Sequence, residues 1–269
     1  MELRRRALEL LQVADVAAKV AGARALSAPP GVDSAADIDV EIDVVLTPQP
    51  GTVPGRPARP RLVHPAQVPQ RPVHTAAGRA ALLHAVAHIE FNAIDLALDA
   101  MWRFAGLPRA FYLDWARVAA EEALHFTLVA DHLRNLGHAY GDFDAHDGLW
   151  AMAERTRHDP LDRMALVPRT LEARGLDVTP GMRARFVAVG DPRAAEILDV
   201  ILRDEIGHVA IGNRWYRWLC ERAGVDPPTH HEELAHRHRA PRPKGPINRA
   251  AREAAGFTAA EIERLERSR

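Results

Sequence analysis

The chain has 269 residues, of which 47% are hydrophobic and 26% are charged, with a formal net charge of −1. This composition supplies a packed core and gives no general attraction to nucleic acid or to an anionic membrane. The single cysteine, Cys220, excludes an internal disulfide framework and fits a reducing cytoplasm. No apolar run reaches about 18 residues and the basic N-terminus lacks a compact apolar segment, so neither a transmembrane helix nor a signal peptide is expected.

Residues 1–74 are predicted to form an N-terminal helix followed by an extended arm. Apolar residues recur at helical spacing over residues 2–24, which predicts one amphipathic helix. The segment Val40–Val45 alternates between apolar and acidic residues and predicts a short strand. Residues 48–72 are rich in proline and arginine, so they are either a linker or an arm wrapped around the core.

Residues 75–225 are predicted to form two helical hairpins joined by a long crossover. Capping residues or proline open each helix, and glycine closes it. The predicted bounds are Thr75–Gly106 for helix A, Pro108–Gly137 for helix B, Asp159–Gly175 for helix C, Thr179–Gly190 for a short extra helix and Asp191–Gly224 for helix D. This connectivity is that of a ferritin-like four-helix bundle.

Residues 226–269 are predicted to be a C-terminal tail. Four histidines between positions 230 and 238 are interpreted as solvated chain, with a secondary metal site as the alternative. A last short helix is predicted to begin after Thr258, which would be its N-cap.

The functional prediction comes from a Glu-x-x-His tetrad that occurs twice on predicted apolar helices. Glu122 and His125 form the first tetrad, and Glu205 and His208 form the second. Because positions i and i+3 share one face of a helix, each tetrad directs a carboxylate and an imidazole to one point.

A further glutamate precedes each tetrad at a nearly equal separation. Glu90 stands 32 residues before Glu122, and Glu172 stands 33 residues before Glu205. Four Glu and two His that converge inside a bundle are the ligand set of a two-metal carboxylate site. An ionised carboxylate in an apolar core is costly unless something pairs with it, and divalent metal ions would neutralise these acids.

The sequence predicts two metal ions, iron first and manganese as the alternative, because carboxylate and imidazole suit both. One ion is assigned to Glu90, Glu122 and His125, and the other to Glu172, Glu205 and His208. For Glu172 the alternative is an exposed side chain beside neighbouring arginines; if it does bind, Pro168 is expected to bend its helix.

Other residues near the motifs are given supporting or structural roles. Glu121 and Asp204, which directly precede the tetrads, are predicted to accept hydrogen bonds from the ligating imidazoles. His84 and His88 point away from the ligand stripe by helical phase and are predicted to lie at the surface. His132 is predicted to be a core or cavity histidine.

With its ligands in this order, the central region resembles the ferritin-like di-iron carboxylate superfamily. Within that superfamily, the chain is similar to an uncharacterised bacterial family of ferritin-like proteins. The resemblance is carried by HIEFNAIDLALD at 88–99, MALVPRTLEARGLD at 164–177 and PKGPIN at 243–248. It implies an all-α fold and the metal ligands, but no stated activity. The site pattern is also distantly similar to tRNA-modifying di-iron hydroxylases and rubrerythrin-like proteins, which is analogy at the level of the fold.

The favoured function is a di-iron hydroxylase or oxidase that uses O₂, an external electron donor and an unidentified small-molecule or RNA substrate. A ferroxidase without an organic substrate and a metal-free structural bundle are alternatives. Another is a tRNA hydroxylase whose phosphate contacts would be Arg56, Arg59, Arg61, Arg71, Arg242 and Lys244. Pairing of these arginines with the chain's own carboxylates is favoured over that interpretation. The expected location is cytoplasmic, no membrane partner is expected, and a homodimer is compatible with the sequence.

Overall fold

The computed structural model describes residues 2–26, 38–243 and 245–267. Within these residues the chain is helical, and its extended segments form an isolated bridge between Leu62 and Ala145 but no strand. The chain divides into two compact units, Met1–Trp150 and Ala151–Arg269.

Most helices follow one another with short connections, and longer segments follow α2, α4 and α9. The first unit contains α1 (Leu3–Gln12), α2 (Val16–Arg24), α3 (Ala76–Arg103), α4 (Arg109–Asn135) and the start of α5 (Gly148–Arg155). The second unit contains α6 (Pro160–Leu166), a π-helical segment (Val167–Glu172), α7 (Ala173–Ala188), α8 (Pro192–Ala223), α9 (Pro227–Arg237), α10 (Arg249–Ala254) and α11 (Ala259–Arg267).

The three long helices predicted from caps and apolar periodicity are confirmed as α3, α4 and α8. Thr75 caps α3 by accepting a hydrogen bond from the amide of Gly78 at 3.0 Å, and Asp191 caps α8 through the amide of Ala194 at 3.0 Å. Gly224 ends α8 with a φ of +66°, a left-handed conformation that glycine adopts without strain. In the first unit, α3 and α4 pack along each other.

The N-terminal segment forms two helices rather than the predicted single helix over residues 2–24. The arm passes directly over the break between them, where the amide of Gly55 donates to the carbonyl of Leu11 at 2.7 Å. A Cβ atom on Gly55 would lie 2.2 Å from the carbonyl oxygen of Gln12, so only glycine fits this crossing. Asp15 then caps α2. The arm is therefore wrapped on the first unit, one of the two predicted alternatives.

The prediction of a strand at Val40–Val45 is wrong. The backbone carbonyls that would pair with a neighbouring strand accept hydrogen bonds from one buried arginine instead. Arg4 is 1% exposed. Its Nη1 donates to the carbonyls of residues 41, 42 and 44 at 2.7, 3.2 and 2.7 Å. The same guanidinium donates to the carbonyls of Met101 and Trp102 in the last turn of α3, where the helix dipole favours a positive charge.

Two arginines of the arm pair with carboxylates of the crossover that follows α4. Arg56 lies 2.7 Å from Asp147, and Arg61 lies 2.5 Å from Asp144. Pairing of these arginines with the chain's own carboxylates is the interpretation that the sequence favours, and the structure confirms that pairing for Arg56 and Arg61. Lys244, which was considered for the same phosphate-binding patch, lies outside the described residues.

Helix C departs furthest from its predicted form. It begins at Pro160 as expected, but the chain continues through a π-helical segment into α7, so Gly175 does not close it and Thr179 starts no new helix. The irregularity at Pro168 agrees with the predicted bend, since proline lacks the amide that an α-helix needs there. Pro180 deprives the carbonyl of Leu176 of its usual donor, and the side-chain amide of Asn248 donates to that carbonyl at 3.1 Å.

The tail contains more helix than predicted and belongs to the core of the second unit. Its histidine run forms α9 rather than irregular chain, and α10 was not predicted; the helix after Thr258 is confirmed as α11. The cores of α7 and α8 meet the tail in one buried cluster formed by Ala173, Leu176, Val209, Ala251, Ala255, Phe257 and Ile262.

Among the described residues, α3 is the one helix long and apolar enough to cross a membrane. Its most apolar window has a mean hydropathy of 1.3, and 78% of that window is buried. A window that is mostly buried in this way is typical of a helix in a packed core, and the cytoplasmic location stays a prediction.

A buried ion pair joins α2 to α3. The Nζ atom of Lys19 lies 2.5 Å from a carboxylate oxygen of Asp95, and the two side chains are 0% and 5% exposed. Lys19 also donates to the carbonyl of Gly55 at 2.9 Å, which fixes the arm. Burial raises the pKa of Asp95 to about 6 although Lys19 opposes the shift, so the lysine is needed to keep this carboxylate ionised in the core.

Replacement Lys19→Met is expected to lower the free energy of unfolding by about 3 kcal/mol, because it leaves Asp95 buried without its partner. The double variant Lys19→Met/Asp95→Leu should recover most of this loss. Urea unfolding followed by circular dichroism would measure both. Arg6→Met, which removes an exposed ion pair with Glu9, is the control and should change stability by less than about 0.5 kcal/mol. Equal losses in the single and double variants would contradict the pairing.

Candidate metal centre

Three buried side chains that can ligate a metal meet between α3 and α4. Glu90 comes from α3, whereas Glu122 and His125 come from α4, and the three are 3%, 1% and 0% exposed. The Nδ1 atom of His125 lies 3.3 Å from a carboxylate oxygen of Glu90 and 3.3 Å from one of Glu122. One potential ligand atom from each residue lies within 4.8 Å of the others. The first unit therefore brings together three of the six predicted ligands.

These carboxylates occupy positions where packing would favour an aliphatic side chain. On α3, Val86, Ala87, Ile94 and Ala97 share the stripe of Glu90 and are all buried. Two carboxylates and an imidazole are donor groups that commonly bind divalent metal ions. The site is therefore suited to a cation.

The donor set and its spacing are compatible with a metal ion. Two ligands bound side by side to one metal at about 2.1 Å lie about 3 Å apart. The two distances of 3.3 Å from His125 to the glutamates are close to this value. Carboxylate oxygen and imidazole nitrogen together suit several first-row metals, so this geometry alone does not identify the metal.

The second tetrad lies on α8 with its two side chains on one face, as predicted. Glu205 and His208 are 9% and 1% exposed, and the Nδ1 atom of His208 lies 3.7 Å from a carboxylate oxygen of Glu205. Glu172 ends the π-helical segment and is half-buried. Across the described residues of the second unit, these three do not form a ligand group as compact as that of the first unit.

The π-helical segment contacts the face of α8 that carries the tetrad. A Cβ atom built on Gly212 would lie 2.4 Å from Cβ of Pro168, so glycine allows this close approach. Gly212 follows His208 by four residues and Glu205 by seven, which places all three on one helical face. Glu172 follows Pro168 by four residues, so helical phase turns it toward the same face. Short π-helical segments occur frequently at functional sites.

Each acid predicted to support an imidazole contacts an arginine of its own helix. Glu121 accepts a hydrogen bond from Arg117 at 2.9 Å, and Asp204 accepts one from Arg203 at 2.8 Å. Their side chains are 25% and 15% exposed, at the border between core and solvent. That they orient His125 and His208 stays a prediction.

The surface placement predicted for His84 and His88 is wrong, because the crossover after α4 covers that side of α3. The amide of Gly141 donates to Nε2 of His84 at 2.9 Å, and His88 is hydrogen-bonded to the hydroxyl of Tyr140 at 2.9 Å. Burial lowers the pKa of both histidines to about 4, so both are neutral at neutral pH. His132 is 8% exposed, in agreement with its prediction as a core residue.

An aromatic cluster that sequence analysis missed lies beside the ligands of the first unit. The ring of Tyr140 lies 5.5 Å from that of Phe91 and 5.1 Å from that of Phe126. Phe91 and Phe126 directly follow Glu90 and His125 in the chain. The cluster packs α3, α4 and the crossover against one another in the turns that also carry Glu90 and His125. No periodic signal could reveal it, because Tyr140 lies in an irregular segment.

Comparison with known proteins gives a family but no activity. A family model described as "Protein of unknown function (DUF455)" matches residues 12–263. A protein of Haemophilus influenzae, described as an uncharacterized protein, is 54% identical over 214 residues, which cover 77% of this chain and 74% of the relative. No solved structure matches the chain.

Replacement Gly212→Ala is expected to lower the free energy of unfolding by about 2 kcal/mol, because the added methyl would push the π-helical segment away from α8. Gly207→Ala on the same helix is the matched control: its Cβ would have nothing within 4 Å, and it should be neutral or stabilising by up to about 1 kcal/mol. Urea unfolding would compare them. Equal stabilities of the two variants would contradict the close contact between Gly212 and Pro168.

Proposed function

This chain belongs to the DUF455 family, and we propose that it is a di-iron carboxylate protein that acts as an O₂-dependent hydroxylase or oxidase. The observation that carries the proposal is the buried group of Glu90, Glu122 and His125 on two apolar helices. Such a group is costly in a metal-free core and suits a cation.

The proposal includes the second ligand set because the sequence repeats the first. Each set contains one Glu and one Glu-x-x-His tetrad, with separations of 32 and 33 residues between the single Glu and the tetrad. The tetrad of the second set, Glu205 and His208, is buried on α8. We assign one metal ion to each set, with Glu172 completing the second. The order of the ligands along the chain supports a ferritin-like arrangement of the helices that carry them.

Iron is the proposed metal because six ligands of mixed carboxylate and imidazole character suit redox-active iron. When bound, an iron pair supplies O₂ reduction, in which one oxygen atom enters the substrate as a hydroxyl and the other leaves as water, with two electrons from an external donor and two protons. The chain's own contribution is to hold the ions, balance their charge and limit the access of water. Phe91, Phe126 and Tyr140 suit this last task in the first unit.

A ferroxidase without an organic substrate is the second candidate, because the same ligand set would serve it. The tRNA hydroxylase receives less support, since Arg56 and Arg61 are paired with Asp147 and Asp144. The size of the assembly and the number of irons bound per chain distinguish the hydroxylase from the ferroxidase. A large assembly that takes up many irons per chain favours the ferroxidase, whereas a monomer or dimer that retains a metal pair favours the hydroxylase.

Metal analysis tests the central claim. Protein produced with both iron and manganese available, and purified without chelator, should retain about two metal ions per chain, mostly iron. Glu122→Gln and Glu205→Gln should each lose at least about one ion, because a neutral amide is a poor ligand for these cations. Glu196→Gln, an exposed change on α8, is the control and should keep the wild-type content. Wild-type protein without bound metal would refute the metal-binding function.

Oxygen reactivity tests the enzymatic part separately. Iron-loaded protein that has been reduced without oxygen should show a transient change in visible absorbance on stopped-flow mixing with O₂. Glu122→Gln should show none, since it lacks the complete ligand set. If iron-loaded wild-type protein retains its metal pair but gives no O₂-dependent change, the hydroxylase is excluded while metal binding stands.

A further inference from the structure

The second unit contains a cavity of about 670 Å³ that has no part in the proposed metal chemistry. This volume falls in the range of small-molecule sites. The cavity is lined by the π-helical segment, α7, α9, the chain that follows α9, α10 and α11. Six arginines contribute to its wall: Arg169, Arg174, Arg239, Arg242, Arg252 and Arg264.

We propose that this cavity binds a small organic anion, with a phosphate or carboxylate head and an apolar body. The proposal does not depend on the proposed metal function. It rests on the uncompensated positive charge of the wall, on a buried guanidinium with an unused donor, and on a strained arginine at the rim.

Half of the arginines are already neutralised. Arg169 lies 2.5 Å from Glu261, Arg252 lies 2.6 Å from Asp177, and Arg264 lies 2.9 Å from Glu232. Arg174, Arg239 and Arg242 have no ion pair within the part of the chain that the structure describes. These three charges give the cavity a positive potential that attracts an anion.

Arg169 lies in the cavity wall and is held in place by its neighbours. The residue is 3% exposed; its Nη1 donates to Asn213 and its Nη2 to Glu261, both at 2.5 Å. Its guanidinium carbon lies 4.7 Å from the centre of the Phe257 ring, which holds the group in place. Its Nε has no hydrogen-bond partner among the described residues. Buried N–H donors are nearly always paired, so an unpaired donor in the cavity wall is unusual.

Arg239 occupies a position that glycine normally takes. It has a φ of +50° immediately after α9. Its amide donates to the carbonyl of His236, and the amide of Ala240 donates to that of Ala235, which is the hydrogen-bond pattern of a glycine-terminated helix. A non-glycine residue is strained in this conformation. The protein is therefore less stable with arginine at this position than it would be with glycine. Such strain is expected where the side chain has a binding role.

Apolar side chains make up another part of the wall and favour an organic ligand over an inorganic ion. Phe257, Leu265, Pro228, Pro241 and Pro243 all line the cavity. A ligand with an apolar ring or chain would bury surface against them, whereas a bare phosphate would not.

Isothermal titration calorimetry on the full chain would test the site with phenyl phosphate, benzoate, phenol and inorganic phosphate. We expect phenyl phosphate, benzoate or both to bind at least tenfold more tightly than phenol and inorganic phosphate, with affinity falling as salt is raised. Tighter binding of phenyl phosphate would identify a phosphate head group, and tighter binding of benzoate would identify a carboxylate. Phenol binding as tightly as both anions, or no binding of either anion, would overturn the proposal.

Variants locate the binding in the cavity. Arg174→Gln and Arg242→Gln should each weaken the better anion at least fivefold, and Arg237→Gln, an exposed residue of α9 outside the cavity wall, should not change it. Arg239→Gly should also weaken binding while it raises Tm by about 2 °C, because it removes the strained conformation. Loss of binding in a more stable protein cannot come from misfolding. Equal weakening by Arg237→Gln would show that the anion binds elsewhere.

Discussion

The burial of carboxylates on apolar helix faces is the constraint on which the rest depends. Elsewhere in each unit the chain meets this cost with a buried cation: Lys19 beside Asp95 in the first unit, and Arg252 beside Asp177 in the second. Between α3 and α4 the structure places two glutamates around a histidine, a group of donors that can bind a metal ion. A metal ion bound at this group, as proposed, would offset the cost of burying these side chains and would make the stability of this part of the core depend on the metal.

Much of the helical framework could be predicted because its signals are local. Thr75, Asp191 and Gly224 bound long helices whose apolar faces repeat at the helical period, and α3 and α8 begin and end within a few residues of the predicted bounds. The failures share a different cause. The segment Val40–Val45 is no strand because Arg4 takes its carbonyls, and α7 continues past Pro180 while Asn248 satisfies the carbonyl of Leu176. Both contacts join residues distant in sequence, which no local pattern can reveal.

As with the helices, the parts of the candidate site that depend on local spacing could be predicted from the sequence. Spacing at i and i+3 was enough to place each Glu-x-x-His pair on one buried helical face. Glu90 was recognised because its separation from Glu122 nearly equals that of Glu172 from Glu205. The surroundings were not predictable from the helices alone. His84 and His88 were assigned to solvent, although Tyr140 and its neighbours cover them from a segment with no periodic signal. The form of the bend at Pro168 likewise depends on its close contact with Gly212.

The C-terminal tail contacts both the π-helical segment and the cavity of the second unit. Glu261 of α11 is ion-paired with Arg169, so the tail anchors the π-helical segment and closes part of the cavity wall. Arg169 and Thr170 line that cavity, and Glu172 stands only two residues beyond Thr170 on the same segment. An anion bound to Arg169, as proposed, would therefore contact the segment that carries Glu172. If that contact changes the affinity for metal, linkage requires bound metal to change the affinity for the anion by the same factor.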